Sequence, residues 1–215
     1  MKLITLLTLI LLISCDHHGH GNKRFQKNVG DWVAAFENKD RDVFLNKELI
    51  IKALNLKKGE TVADIGAGTG AFLKLLHDKV GPSGKVYAVD ISEEFVAYMK
   101  KRHVDLTNLT VIKGATTTTK LPANSIDVAF ICNTYHHFGD YSEMLKDIKK
   151  ILKKNGRLYI IEYEKIPGKS RKWIMDHIRA EKKVFKQEII EAGFSFQGEL
   201  DVSLKENFIF YFSKL

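Results

Sequence analysis

Residues 61–70, Thr-Val-Ala-Asp-Ile-Gly-Ala-Gly-Thr-Gly, run an apolar segment straight into three glycines at alternate positions, and Phe72, Leu73, Leu75 and Leu76 recur at helical spacing directly after it. A strand, a glycine turn and a helix in that order open a βαβ unit. Its crossover demands a parallel neighbour and places any ligand outside the carboxyl ends of the strands. Glycine is required where backbone takes positive φ or closely approaches a bound molecule. Asp90 closes the next apolar run, 24 residues beyond Gly66. A carboxylate there accepts hydrogen bonds from both hydroxyls of a ribose, so the loop and Asp90 together define a nucleoside-binding crevice. The spacing is G-x-G-x-G with Asp64 two residues ahead, not G-x-G-x-x-G, which disfavours a nicotinamide oxidoreductase.

The alternation continues along the chain. An amphipathic helix is expected over 46–56, strands over 61–65 and 86–90, and a helix that starts at Ser92 as N-cap and closes on Lys100, Lys101 and Arg102, as the helix dipole prefers. Strands follow over 109–112 and 126–132, the latter apolar except for Asp127, as suits a parallel strand buried on both faces. A helix over 142–154, ended by Asn155-Gly156, turns Met144, Leu145, Ile148, Ile151 and Leu152 inward and Lys146, Lys149, Lys150, Lys153 and Lys154 outward. A fifth strand spans 157–163 and one long helix 170–192. The runs 195–202 and 207–213 are joined by a connection too short for a crossover helix, so that pair must be antiparallel. No repeat or linker divides 28–215, which reads as one α/β domain. With 45% hydrophobic and 28% charged residues, 15 Gly and 2 Cys in 215, the chain is neither disordered nor a disulfide scaffold.

Residues 1–14 stand apart. Lys2 precedes an apolar run, Leu3 to Ile13, and as a helix the whole of 1–14 reaches only about 21 Å, short of a hydrocarbon core of about 30 Å. Leu12-Ile13-Ser14-Cys15 resembles the lipobox of bacterial lipoproteins, which implies removal of 1–14 and lipidation of Cys15. Residues 15–27 then form a tether carrying His17, His18 and His20. Such a tract binds transition metals in some proteins, but a terminal Gly/His segment lacks a rigid second shell, and we read it as a tether. No metal site is expected in the fold. Asp16 after the cysteine resembles the inner-membrane retention signal of enteric-type lipoproteins, implying the periplasmic face of that membrane. If the leader is no signal, the location is cytoplasmic. The formal charge of +8 suits orientation on anionic lipid. It does not point to nucleic acid, because no aromatics interleave with the lysines.

Asp64-x-Gly66-x-Gly68-x-Gly70 resembles motif I of class I S-adenosylmethionine-dependent methyltransferases. That resemblance implies a Rossmann-like fold, a seven-stranded mostly parallel sheet of order 3-2-1-4-5-7-6 with helices on both faces, and S-adenosylmethionine as cofactor. It also implies that Asp64, Gly66, Ala67, Gly68 and Gly70 surround the methionine part, Asp90 binds the ribose, Ile91 packs on adenine and Asn133 faces the cofactor. Where the family commonly places an acidic or amide side chain for the adenine amino group, this chain has Gly114-Ala115-Thr116, so Ala115 backbone or the Thr116 hydroxyl takes that contact. Trp32, Phe36, Arg41-Asp42, Tyr135-His136-His137-Phe138 and Asp176-His177-Ile178-Arg179 resemble a subgroup of largely uncharacterised bacterial methyltransferases.

Methyl transfer is an in-line displacement at an already activated carbon, so the protein supplies alignment and, for a hydroxyl or thiol acceptor, a base. Tyr135, His136 and His137 lie beyond strand four, where such groups belong, with His136 favoured as the base. The competing reading is that these histidines cap a turn. Glu162, Glu164, His177 and Arg179 are further pocket candidates, with surface ion pairs as their alternative. The absence of an Asn-Pro-Pro-aromatic motif argues against DNA bases and glutamine as substrates. The expected activity is O- or S-methylation of a small-molecule or lipid-like acceptor. The alternative is an exported, membrane-anchored binding protein for a nucleoside or metabolite that keeps the fold without activity. If the lipobox is used, cells fed radiolabelled palmitate should label the wild-type chain and not Cys15→Ser; an unlabelled wild type rejects the anchor.

Overall fold

Each inner strand of this chain carries apolar side chains on both faces, so its sheet requires cover on two sides. A computed structural model describes residues 28–214; the leader 1–14, Cys15 and the His17, His18 and His20 tract lie outside the described residues. Seven strands, β1 Thr61–Ile65, β2 Lys85–Asp90, β3 Leu109–Lys113, β4 Ile126–Cys132, β5 Leu152–Tyr163, β6 Phe194–Glu199 and β7 Asn207–Lys214, form one sheet of order β3-β2-β1-β4-β5-β7-β6. The pairs among β1 to β5 are parallel, whereas β7 lies antiparallel to both β5 and β6. The expected order and the reversed last strand are therefore present.

Alternate side chains divide the core in two. Val62, Val128, Phe130 and Ile161 pack with Ile50, Ile51, Leu73, Leu76 and Met99. Ala63, Ala129, Ile131 and Ile160 pack with Leu145, Ile148, Phe185 and Ile189. The first face is covered by α3 Lys47–Ala53, α4 Leu73–Val80 and α5 Glu93–Arg102, and the second by α6 Tyr141–Ile151 and α8 Lys182–Glu191. Two further helices precede β1. These are α1 Val29–Phe36, closed at its start by a reciprocal Asn28–Asp31 capping box, and the short α2 Asp42–Leu45. Among the described residues no helix is long and apolar enough to cross a membrane.

Several boundaries differ from the sequence expectation. The helix expected over 46–56 is confined to α3, and Asn55, at φ 49°, turns the chain behind it. The helix expected over 142–154 stops at Ile151, because Leu152 pairs with Ile126 and the chain bulges before Arg157 rejoins β4. Lys153 and Lys154 thus leave the helical lysine face, and Lys153 pairs with Asp127 at 2.8 Å.

The single helix expected over 170–192 is two, α7 Lys172–His177 and α8, separated by extended backbone at Ile178 and Glu181. No Gly or Pro explains the break. In one continuous helix Arg179 and Glu188 would lie about 13 Å apart along the axis. Instead the Arg179 guanidinium donates to both Glu188 oxygens at 2.7 Å, and Tyr135 Oη donates to Oε2 of the same carboxylate at 2.9 Å. Ile178 is buried beside them. A satisfied carboxylate and a buried isoleucine outweigh the few helical hydrogen bonds lost. Arg179→Leu, which strands the Glu188 charge, should cost about 2–3 kcal/mol of stability in urea denaturation, with Arg179→Lys intermediate; unchanged stability would reject this explanation of the break.

Candidate active site

The carboxyl ends of β1, β2 and β4 open into a cleft of about 1300 Å³. The glycine loop shapes one wall. Gly66 and Ala67 donate their amides to Val89 O at 2.8 and 3.1 Å, folding the loop across β2. Gly66 has φ 75°, and a Cβ there would stand 2.2 Å from Thr134 Cγ2, so only glycine fits. The Gly68 amide donates to Asp90 Oδ2 at 2.8 Å and the Ser92 amide to Oδ1 at 2.9 Å, which aims the carboxylate into the cleft mouth. Burial raises the Asp90 pKa, against the pull of these amides. Asp64 is buried more deeply, and burial together with the Asp90 charge pushes its pKa from 3.8 up to about 8.

Ile91, Ala115, Thr116 and Asn133 line the same cleft. The segment carrying Ala115 and Thr116 is held as a tight turn by the Ala115 amide donating to Thr118 O at 2.8 Å. Asp147 anchors that turn through the Thr119 amide and hydroxyl, both at 2.7 Å. Asn133, at φ 51°, accepts from Asn207 Nδ2 at 2.7 Å, which leaves its own Nδ2 buried without a hydrogen-bond partner. Gly70 does not line the cleft. Its φ is 78°, and its missing Cβ makes room for Leu73 and His103, a packing role in place of the expected cofactor contact.

Helix α1 adds a part of the site to which the sequence assigned no role, although Trp32 and Phe36 belong to the subgroup resemblance. Trp32 and Phe36 pack at 5.1 Å between centroids, and Phe95 of α5 lies 6.1 Å from Phe36. The Phe36 ring would be 3.6 Å from a Cβ on Gly68, so these rings roof the loop. The Glu37–Arg102 ion pair ties α1 to α5. Arg41 donates to Phe36 O and to Tyr163 Oη, both at 3.2 Å, joining that roof to the end of β5.

The other wall is built from a 3-10 turn, Tyr135–His137, after β4. Its three candidates separate. Tyr135 points away from the cleft, fully buried against Phe185 and bonded to Glu188, so the catalytic role expected for it is not supported. Burial and the Glu188 charge raise its phenol pKa. His136 and His137 line the cleft. His136 is buried, and its Nδ1 lies 2.7 Å from Oε2 of the wholly buried Glu162. An ionised carboxylate only accepts, so Nδ1 donates to Glu162 and Nε2 is the ring nitrogen left on the His177 side. His177 Nε2 stands 3.2 Å from that atom. The His137 ring lies 3.8 Å from that of His136 between centroids, tilted by 49°. Of the other candidates, Glu164 pairs with Lys182 at 3.1 Å and Arg179 with Glu188, both outside the cleft lining.

The methyltransferase-domain family model matches residues 56–206. A demethylmenaquinone methyltransferase of Geobacillus sp. (strain WCH70) is 30% identical over 118 residues, 54% of this chain and 50% of the relative. An uncharacterized 37.1 kDa protein in transposon TN4556 of Streptomyces fradiae is 33% identical over 116 residues, 54% of this chain and 34% of the relative. This chain thus spans a third to a half of the length of these curated relatives. Among solved structures, a SAM-dependent methyltransferase from Aquifex aeolicus superposes with a TM-score of 0.76 at 26% identity, covering 88% of this chain and 100% of that one. The cleft fits S-adenosylmethionine, the cofactor named for the Aquifex aeolicus protein. Asp90 offers a fixed acceptor at its mouth, and the orphaned Asn133 Nδ2 offers a buried donor at its wall.

Because the folded state holds the Asp64 proton up to about pH 8 and the unfolded chain loses it near 3.8, this residue lowers stability progressively as pH rises between those values. Asp64→Asn never ionises. Its stability advantage over the parent should grow between about pH 4 and about pH 8 in urea titrations, and a pH-independent difference would contradict the assignment.

Proposed function

We propose that this chain, which belongs to the methyltransferase-domain family and takes S-adenosylmethionine as its cofactor, transfers a methyl group to a hydroxyl or thiol of a small-molecule or lipid-like acceptor. The observation that carries the reading is that one cleft is lined by both the Asp90–Gly68 end and His136, whose imidazole is held from behind by the buried Glu162. Bound S-adenosylmethionine supplies an electrophilic methyl carbon on a sulfonium.

The chain's own residues supply the rest. Asp90 holds the ribose hydroxyls, and the backbone of Gly66, Ala67 and Gly68 together with Asp64 surrounds the methionine part. Ile91, Ala115 and Thr116 flank the base, while Asn133 directs its buried amide toward the same ligand. Glu162 fixes the His136 tautomer, so that Nε2 receives the acceptor's proton and shares it with His177 Nε2. Phe36 and Trp32 roof the cleft and exclude water around the nucleophile. The Geobacillus relative's name gives demethylmenaquinone as its acceptor, which is in keeping with a lipid-like acceptor here. A lipid on Cys15 would hold the domain at the periplasmic face of the inner membrane, near such acceptors. No nucleic-acid partner is proposed.

The purified chain should bind S-adenosylhomocysteine. Gly68→Arg, whose side chain meets the Phe36 roof, should abolish binding, and Asp90→Ala should weaken it at least tenfold. His136→Asn should leave that affinity unchanged while lowering methyl transfer to hydroxyl or thiol acceptors by about 10²-fold or more. Equal S-adenosylhomocysteine affinity in Gly68→Arg and the parent would reject the cofactor site.

A further inference from the structure

We infer that His136, His137 and His177 form a binding site for a divalent transition-metal ion of the zinc class, with an open coordination position facing the acceptor side of the cleft. The site itself rests on its own geometry; only its part in acceptor activation rests on the methyl-transfer reading. One ligand nitrogen from each of these three residues lies within 4.8 Å of the others. All three side chains border the cleft.

Three features distinguish the cluster from histidines that merely pack together. The first is the distance between His136 Nε2 and His177 Nε2, 3.2 Å. Two imidazole nitrogens on one tetrahedral zinc, each at about 2.0–2.1 Å, are about 3.3 Å apart, so these atoms already stand at the edge of a coordination tetrahedron. The second is the buried carboxylate behind the ring. Glu162 accepts from His136 Nδ1 at 2.7 Å and from the backbone amides of His136 at 3.2 Å and Tyr163 at 2.8 Å. A carboxylate that fixes the tautomer and aims the other nitrogen is the outer-shell arrangement of metal-binding histidines.

The third feature is that the site is built on two independently braced elements. His136 and His137 sit on the 3-10 turn pinned by Tyr135, and His177 ends α7, which is seated by the buried Ile174 and Ile178. His137 is exposed at the rim and already places a ring nitrogen within 4.8 Å of the other two. Three imidazoles with a fourth position left to solvent or substrate is the donor set of catalytic zinc sites, and imidazole suits zinc, copper, iron and nickel over magnesium or calcium. With the ion in place of the proton between His136 and His177, Nε2 of His136 would be a ligand in place of a base, and a hydroxyl or thiol acceptor at the open position would release its proton to bulk water beside the methyl donor.

The test uses Co²⁺ as the probe, in the full chain with His17, His18 and His20 replaced by Asn so that the N-terminal tract cannot bind. Titration in metal-free buffer should give one Co²⁺ per chain with the visible ligand-field absorption of imidazole coordination, and Zn²⁺ should displace it. His177→Ala and His137→Ala, both away from the core, should each weaken binding at least tenfold, and Glu162→Gln by about 10–100-fold. S-adenosylhomocysteine affinity, read in the same samples, should stay within twofold of the parent and reports that each variant is folded. Absence of Co²⁺ binding in the tract-free chain, or equal Co²⁺ affinity in His177→Ala, His137→Ala and the parent, would overturn the site. Stoichiometric Co²⁺ binding in a chain that fails to bind S-adenosylhomocysteine would uphold the metal site and sink the methyl-transfer reading.

Discussion

A sheet covered on both faces has only the ends of its strands left for polar chemistry, and nearly every functional group in this protein obeys that restriction. Asp64 and Asp90 lie at the carboxyl ends of β1 and β2, Asn133 immediately follows β4, and Glu162 is the penultimate residue of β5. The parallel order makes those ends converge. Antiparallel β7 then enters beside β5 and delivers Asn207 to the Asn133 amide. Polar groups buried at such a rim are costly unless paired. Most are paired here: Asp90 by two amides, Glu162 by amides and an imidazole, and Glu188 by a guanidinium and a phenol. Two exceptions, Asp64 with its raised pKa and the orphaned Asn133 Nδ2, border the cleft, where a ligand would complete them; Asn207 Oδ1 is also unpartnered, outside the cleft lining.

The two halves of the cleft are held by different kinds of interaction. The nucleoside half is a backbone device, in which glycines at positive φ let amides reach Val89 O and Asp90. Its precision comes from the absence of side chains. The acceptor half is a side-chain device, in which a carboxylate with no exposure orders one imidazole and that ring faces another. Such a network is rigid when fully satisfied. Helix α1 bridges the halves. Its aromatic face lies over the glycine loop, while Arg41 just beyond it reaches Tyr163 beside Glu162.

How much of this was readable depended on how local each cause is. The Asp64-to-Gly70 loop and Asp90 are legible because strand, glycine turn and helix follow one another within a few residues, and their roles depend on backbone conformation that sequence specifies directly. The reversed last strand is legible because a four-residue connection excludes a crossover. By contrast, Gly70 carries the same signal as its neighbours yet serves Leu73 and His103 packing, a distinction that only the side chains facing it reveal. Tyr135 shares a motif with His136 and His137, but the 3-10 turn sends it to Glu188 while they face the cleft. The break between α7 and α8 has no residue marker at all, since Arg179 meets Glu188 only in the folded chain.

By itself the sequence determined the doubly covered α/β sheet, the glycine loop, the carboxylate that closes β2 and the antiparallel final pair, all consequences of periodicity and short-range spacing. Only the tertiary structure decided which histidines work together. His177 is 41 residues from His136 and carries no periodic or spacing signal, and Glu162 looks like one more acidic residue at a strand end. Their meeting follows from β5 lying beside β4 and from α7 being set back over the 3-10 turn. Imidazole chemistry acts only over a few ångströms, and long-range chain packing sets those distances.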